Sequence, residues 1–205
     1  MTWDPVADEY ARRFADELDH KPLDRALLAA FAEHVRGRGR VLDVGCGPGH
    51  VGAHLRRAHD IPADGLDLSP EMVACASRLN PDANFIVGDL RDLQARDLAG
   101  IIGFYAVCNL APDDLPRAAT SMAAALAPGG HLLVSFHCAH AGPAYQHIDN
   151  MWGAAVSLEF WFHPTVVVVA ALTAAGLILD ATLVRQPYPT EYPSQRAYLL
   201  AHKPA

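Results

Sequence analysis

One short segment constrains the fold more than any other: Gly45-Cys46-Gly47-Pro48-Gly49, set directly behind the apolar run Arg40–Val44. Glycines at this density let the backbone take positive φ and let a ligand approach the main chain closely. A helical pattern resumes at His50 and continues to about His59. The segment therefore reads as strand, glycine turn and helix. The start of such a helix presents unpaired N–H groups and the positive end of its dipole. These donors suit a diphosphate or the carboxylate of an amino acid, and the loop alone does not choose between them.

The remainder of the chain continues the alternation. Val6, Tyr10, Phe14 and Leu18 recur at steps of four and predict a first helix over Asp4–Leu18. Pro22 breaks it, and Leu23–Val35 reads as a second helix that Gly37 and Gly39 end. Further strands are expected at Pro62–Leu68, Asn84–Val87, Ile101–Cys108, His131–Phe136, Leu177–Arg185 and Arg196–His202. Ser69-Pro70-Glu71 opens a helix, with Ser69 as its cap and Pro70 at the first helical position. Asp113–Leu126 and Pro164–Ala175 read as helices, and between Ala139 and Phe162 the pattern loosens. Strands alternating with helices predict an α/β fold, a parallel sheet with helices on both faces.

A chain of 205 residues, 51% hydrophobic and 19% charged, suits one globular domain. The net charge is -7 and no basic stripe interrupts it, which argues against a nucleic-acid partner. Cys46, Cys75, Cys108 and Cys138 form no C-x-x-C pair, as expected of a reduced, cytoplasmic protein. The first residues are acidic and amphipathic, unlike a signal peptide. The apolar run Val166–Leu179 is too short to span a bilayer, so no membrane association is expected.

Gly47, Gly49 and Gly52 also fit G-x-G-x-x-G, and Asp67 lies where an acid holds ribose hydroxyls. That pattern alone fits a nicotinamide dinucleotide. Three features point elsewhere. Asp43 stands two residues before the first glycine, where an acid suits an ammonium group and repels a diphosphate. Gly88-Asp89-Leu90 follows the third strand, where an acid can accept from an exocyclic amine. Leu126-Ala127-Pro128-Gly129-Gly130 stops a helix sharply before the strand that begins at His131.

In this order and spacing these stretches resemble the class I, Rossmann-like S-adenosylmethionine (SAM) methyltransferases of small bacterial type. The resemblance is close over Arg40–Phe136 and looser over the rest. It implies a seven-stranded sheet of order 3-2-1-4-5-7-6, parallel except for an antiparallel C-terminal strand. It implies one domain: residues 1–38 as a helical lid, 40–137 as the SAM-binding core, 138–163 as a substrate-side insertion and 164–205 as a closing helix and strand pair. Asp43, Gly45, Cys46, Gly47 and Gly49 would hold the methionine part of SAM. Asp67 would take the ribose hydroxyls, Leu68 and Met72 would flank adenine, and Asp89 with the Leu90 N–H would meet its amine edge. Asn109 would face the sulfonium. His20-Lys21-Pro22-Leu23-Asp24-Arg25 resembles an element of a loose group of small bacterial methyltransferases, which implies Tyr10 and Phe14 as a lid and Arg25 as a partner of a carboxylate or substrate anion.

The acceptor side is less legible. His137 closes the fifth strand and is a candidate general base. His137-Cys138-Ala139-His140, with His147 and Asp149 beyond, carries metal-ligand types at a spacing that matches no usual structural zinc site, so no metal is expected. Trp152, Phe160, Trp161 and Phe162 can wall an apolar substrate or fill a core, and Glu159 and Glu191 are candidate substrate-facing acids. Asn109-Leu110-Ala111-Pro112 stands where nucleobase amino-methylases carry an Asp/Asn-Pro-Pro-aromatic element, which removes that substrate argument. The expected reaction is methyl transfer to an O, N, S or C nucleophile, with a small-molecule acceptor as the default from charge and size. The alternatives are a SAM-binding protein without transferase activity and a nicotinamide-dependent oxidoreductase.

Overall fold

The computed structural model describes residues 3–139 and 144–205. In chain order its elements are α1 (Ala7–Phe14), α2 (Pro22–Val35), β1 (Val41–Val44), α3 (His50–His59), β2 (Ala63–Asp67), α4 (Pro70–Leu79), β3 (Phe85–Val87), β4 (Leu98–Phe104), α5 (Leu115–Ala125), β5 (Leu126–Cys138), β6 (Ala144–Met151), β7 (Ala154–Phe162), α6 (Thr165–Ala174), β8 (Ile178–Arg185) and β9 (Gln195–His202). Seven strands form one sheet in the order β3-β2-β1-β4-β5-β9-β8. The first five are parallel, and β9 runs antiparallel to both β5 and β8. This is the expected topology, with β8 and β9 in sixth and seventh place.

Alternation along the central strands builds the layers. Leu42 and Ile101 point to one face, where α5 and α6 supply Ala118, Met122, Val168 and Leu172. Val41 and Ile102 point to the other, against Leu28, Phe31 and Val35 of α2 and Val51 and Leu55 of α3. Every residue of β1 and of β4 is buried, as a strand covered on both faces must be. Ser69 caps α4 by accepting from the Met72 N–H at 3.1 Å, with Pro70 at the first position.

Several expected boundaries move. The fifth strand begins at Leu126, directly behind α5, instead of at His131. The first helix is shorter: after α1 a 3-10 turn, Glu17–His20, precedes α2. The fourth strand ends at Phe104 instead of Cys108. Tyr105 takes φ 60° and turns the chain into a 3-10 turn over Val107–Asn109. Cys108 Sγ and Asn109 Nδ2 both donate to the Tyr105 carbonyl, at 2.7 and 3.3 Å, and so satisfy a group the strand no longer pairs. Finally, most of the stretch that looked irregular is the β6–β7 hairpin, separate from the main sheet. Its turn places Trp152 and Gly153 at φ 52° and 88°, the double left-handed geometry that matches strand twist. The Gly153 N–H donates to Asn150 Oδ1 at 3.2 Å, which fixes the turn.

The hairpin rests on the N-terminal segment. Val156 and Leu158 bury against Val6, with Trp3, Ile148, Met151 and Phe160 around them. This minor core roofs the carboxyl ends of the sheet strands.

Candidate active site

In an open parallel sheet, ligands sit beyond the carboxyl ends of the strands, where helix N-termini converge. Here β1 delivers the glycine loop to that edge. Gly45 takes φ 67°, and a Cβ there would lie 2.6 Å from the Ala106 Cβ. The loop after β1 therefore seats against the turn after β4 only because position 45 has no side chain.

Asp67, at the end of β2, ties the neighbouring loops together. Its Oδ2 accepts from the Gly47 N–H at 2.8 Å and its Oδ1 from the Ser69 N–H at 2.9 Å. Burial pushes its carboxyl above the ordinary value, against the pull of those N–H groups. Ser69 also donates to the Asp4 carboxylate, which brings the N-terminal segment to the same place.

Asp43 does not reach the open space. It is 2% exposed and accepts from the Gly52 N–H at 3.2 Å, behind the glycine loop. Burial raises its carboxyl to about 7, although nearby His50 and the Gly52 N–H oppose the shift.

A cavity of about 990 Å³ lies over this edge, and Gly45, Gly47, Asp67, Leu68, Met72, Asp89, Leu90 and Asn109 all line it. Asp89 is held by Arg91, whose Nε lies 3.0 and 2.9 Å from the two carboxylate oxygens and whose second nitrogen donates at 2.7 Å. Those bonds keep its carboxyl below the ordinary value. Arg91 also donates to Asp114 at 2.8 Å. Asn109 Oδ1 is buried and has no partner among the described residues, and a buried acceptor left without a donor is costly unless a ligand supplies one.

Across the sheet the same cavity reaches His137 at the end of β5 and passes beneath Tyr10, Phe14, Trp152, Phe160 and Phe162. Tyr10 and Phe14 pack with ring centroids 4.4 Å apart, and Trp3 bridges Tyr10 to Phe160 at 5.5 and 5.7 Å. Both candidate acids, Glu159 and Glu191, line the cavity. Trp161 does not; its ring packs on Tyr145, 4.7 Å away. His137 Nδ1 is hydrogen-bonded to Ser194 Oγ at 2.7 Å. Burial, with Arg196 and Lys21 nearby, lowers its imidazole to about 4. It is a neutral polar group across the physiological range and a weak base.

Four of the residues expected to hold the cofactor stand outside the lining: Asp43, Cys46, Gly49 and Arg25. Cys46 is buried, and Gly49 packs against Phe85 and Asn80 as the residue before α3. Arg25 donates to the carbonyls of Leu18 and Asp19, the latter at 2.8 Å. It completes the 3-10 turn over Glu17–His20, where helical carbonyls lack partners. His140 lies outside the described residues.

The sequence reading missed a buried charge network under the acceptor end. Lys21 Nζ lies 2.5 Å from Glu17 Oε2 and 3.4 Å from Glu191 Oε1. His50 Nε2 donates to the other Glu17 oxygen at 2.7 Å. Arg185 holds Glu191 at 2.6 and 2.9 Å and Asp24 at 3.1 Å. Against the burial that raises them, His50 and Lys21 hold Glu17 down to about 2, and Arg185 holds Glu191 to about 2. Tyr105 lies under Lys21, 5.0 Å from ring centroid to Nζ. Lys21 and Asp24 stand out only as part of the His20–Arg25 element and Glu191 only as a candidate substrate-facing acid, because the partners that join them lie far off in sequence.

Comparison with known proteins agrees with this geometry. A methyltransferase-domain family model matches residues 41–130, which is β1 through the start of β5. The chain is 30% identical over 200 residues to the malonyl-[acyl-carrier protein] O-methyltransferase of Erwinia billingiae, covering 92% of this chain and 73% of that protein. It is 40% identical over 75 residues to trans-aconitate 2-methyltransferase of Mycobacterium tuberculosis, a match that spans 36% of this chain but only 28% of that relative. The structure of an S-adenosylmethionine-dependent methyltransferase from Clostridium acetobutylicum superposes with a TM-score of 0.71 at 15% identity, covering 97% of this chain and 99% of that one. Glycine loop, sheet order and these likenesses meet in one conclusion: the chain belongs to the class I, Rossmann-like family of SAM-dependent methyltransferases.

Proposed function

We propose that this chain transfers the methyl group of SAM to an oxygen or nitrogen nucleophile of a small molecule. The observation that carries this reading is that one continuous cavity joins the loops after β1, β2 and β3 to an aromatic-walled chamber beside His137. A volume of about 990 Å³ is at the upper end for small-molecule sites and leaves space for an acceptor beside the cofactor.

The residues present fit SAM. Asp67 offers carboxylate oxygens to a ribose diol, and Met72 and Leu68 offer apolar surface to adenine. The unpartnered Asn109 Oδ1 gives a polar contact near the methyl-bearing end. Asp43 acts from behind, fixing the glycine loop through the Gly52 N–H. When bound, SAM supplies an electrophilic methyl group and a sulfide leaving group. The protein contributes position and the exclusion of water. Trp3, Tyr10 and Phe160 close the chamber above the edge. His137, neutral above about pH 4, orients the acceptor through a hydrogen bond and is not the main proton sink.

The substrate class rests on the relatives, whose names give malonyl-[acyl-carrier protein] and trans-aconitate as what they methylate, and on the chamber's aromatic walls. No helix among the described residues is long and apolar enough to cross a membrane. The four free, buried cysteines support a reducing, cytoplasmic location. Calorimetric titration with S-adenosylhomocysteine and, separately, with NAD tests the reading. Micromolar binding of the former that Asp67→Ala abolishes supports it. Binding of NAD alone overturns it and makes the glycine loop a diphosphate site.

A further inference from the structure

We infer that the chain holds a divalent transition-metal ion between His131, Asp180 and His202, at the opposite end of the sheet from the cavity. One ligand atom from each of these residues lies within 4.8 Å of the other two, and among the described residues they are the group with that geometry.

The backbone brings them together by design of the ladder. His131 on β5 and His202 on β9 are directly opposed in an antiparallel pair, so their rings leave the same face. On β8 the register shifts between Leu179 and Ala181, which leaves Asp180 as the extra residue of a bulge. A bulge re-aims a side chain that a regular strand would fix. Asp180 uses that freedom to approach His202, with Nδ1 at 2.8 and 2.9 Å from its two oxygens. The ring of His34, in the last turn of α2, stacks on His131 with centroids 4.3 Å apart and planes 15° apart.

One observation points to a ligand. His131 Nδ1 is buried and has no hydrogen-bond partner among the described residues, and an imidazole nitrogen left so is a lone pair or a proton without its counterpart. Two imidazoles and a carboxylate are a donor set that suits zinc, copper or nickel and disfavours calcium or magnesium. Tetrahedral zinc needs donor atoms roughly 3.3 Å apart, so closure asks about 1 Å of side-chain movement. The group is half-exposed, which leaves a path for entry and a fourth position for water.

The ion is structural rather than catalytic. His131 and His137 lie on one strand, and six residues of strand span about 20 Å, so the ion stands far from the chamber. It would tie β8, β9 and β5 together where the antiparallel pair joins the parallel sheet.

The test is zinc chloride titrated calorimetrically into the chelator-stripped full chain near neutral pH. One ion per chain is expected, with a melting temperature about 5–10 °C higher at a hundredfold excess over Kd. Asp180→Asn and His202→Gln, both at partly exposed positions, should each weaken zinc by at least about tenfold. In the wild-type chain, zinc should shift the imidazole resonances of His34, His131 and His202, and leave S-adenosylhomocysteine affinity unchanged. The inference is overturned by absence of zinc uptake, by uptake unchanged in both variants, or by resonance shifts confined to other histidines. Since the readouts do not involve methyl transfer, failure here leaves the proposed activity untouched.

Discussion

The two ends of the cavity are built by different means. The end beyond β1 and β2 is made of short loops on the most buried strands of the sheet, cross-linked by main-chain N–H bonds to Asp67. The end beyond β5 is closed by three segments distant in sequence, the residues 3–20, the β6–β7 hairpin and the 186–194 stretch. Among the described residues its own core has Val6, Val156 and Leu158 as its buried members. Beneath it lies the Glu17–Lys21–Glu191–Arg185–Asp24 chain of charges. One end is held by backbone geometry. The other is held by side-chain chemistry, and under the proposed function that is the end that meets the acceptor.

The contrast can be broken by mutation. The largest effect is expected from Arg185→Met, which leaves Asp24 and Glu191 buried without their cation. Removing one partner of a buried pair costs about 3–5 kcal/mol, read as a fall in chemical-denaturation midpoint. A change below about 1 kcal/mol would show that the network is not what holds the acceptor end. Next, Asp67→Ala should lower S-adenosylhomocysteine affinity by about 100-fold, from charge-assisted hydrogen bonds worth roughly 1.5–3 kcal/mol each. Hydrogen exchange of β6 and β7 should be unmoved in that variant; faster exchange there would erase the distinction between the ends.

A smaller change separates the ends from the other side. Leu158→Ala opens the minor core at a cost of about 2–3 kcal/mol. Exchange should rise in the hairpin and residues 3–20 while the sheet stays protected, and KM for an acceptor should rise more than KM for SAM. Uniform loss of protection would mean that roof and sheet unfold as one. The smallest effect concerns acid. His137 has a folded value of about 4, below its ordinary 6.5, so the unfolded chain binds the extra proton between these values. Its stabilisation is therefore full above about pH 6.5 and is lost as pH falls through 4. His137→Gln should flatten that limb of the stability profile. A wild-type slope retained in the variant would place the titrating group elsewhere.

The same division explains what could be read in the sequence. The sheet order followed from the family resemblance that the glycine loop and its neighbours carry, and the places of Asp67, Met72 and Asp89 on the cavity edge were legible because each stands beside a strand end or a helix start in the chain. The hairpin was not read, although Asn150 and Gly153 carry a turn signal, since the strands around them alternate weakly and β6 is exposed along much of its length. Arg25 and Asp43 were assigned to ligand contact from their positions. The structure places Arg25 on the Leu18 and Asp19 carbonyls and Asp43 on the Gly52 N–H, contacts that a linear pattern does not distinguish from a ligand's. The charge network was invisible because Asp24 and Arg185 meet across 161 positions.

The close seat of Gly45 on Ala106 has an evolutionary consequence. With 2.6 Å between an added Cβ and the Ala106 methyl, position 45 cannot gain a side chain while Ala106 keeps its methyl, unless the two loops separate. Drift at position 45 is thus filtered through position 106. Among descendants of this chain, a larger residue at 45 should appear only with a change at 106, however freely the roof above them diverges.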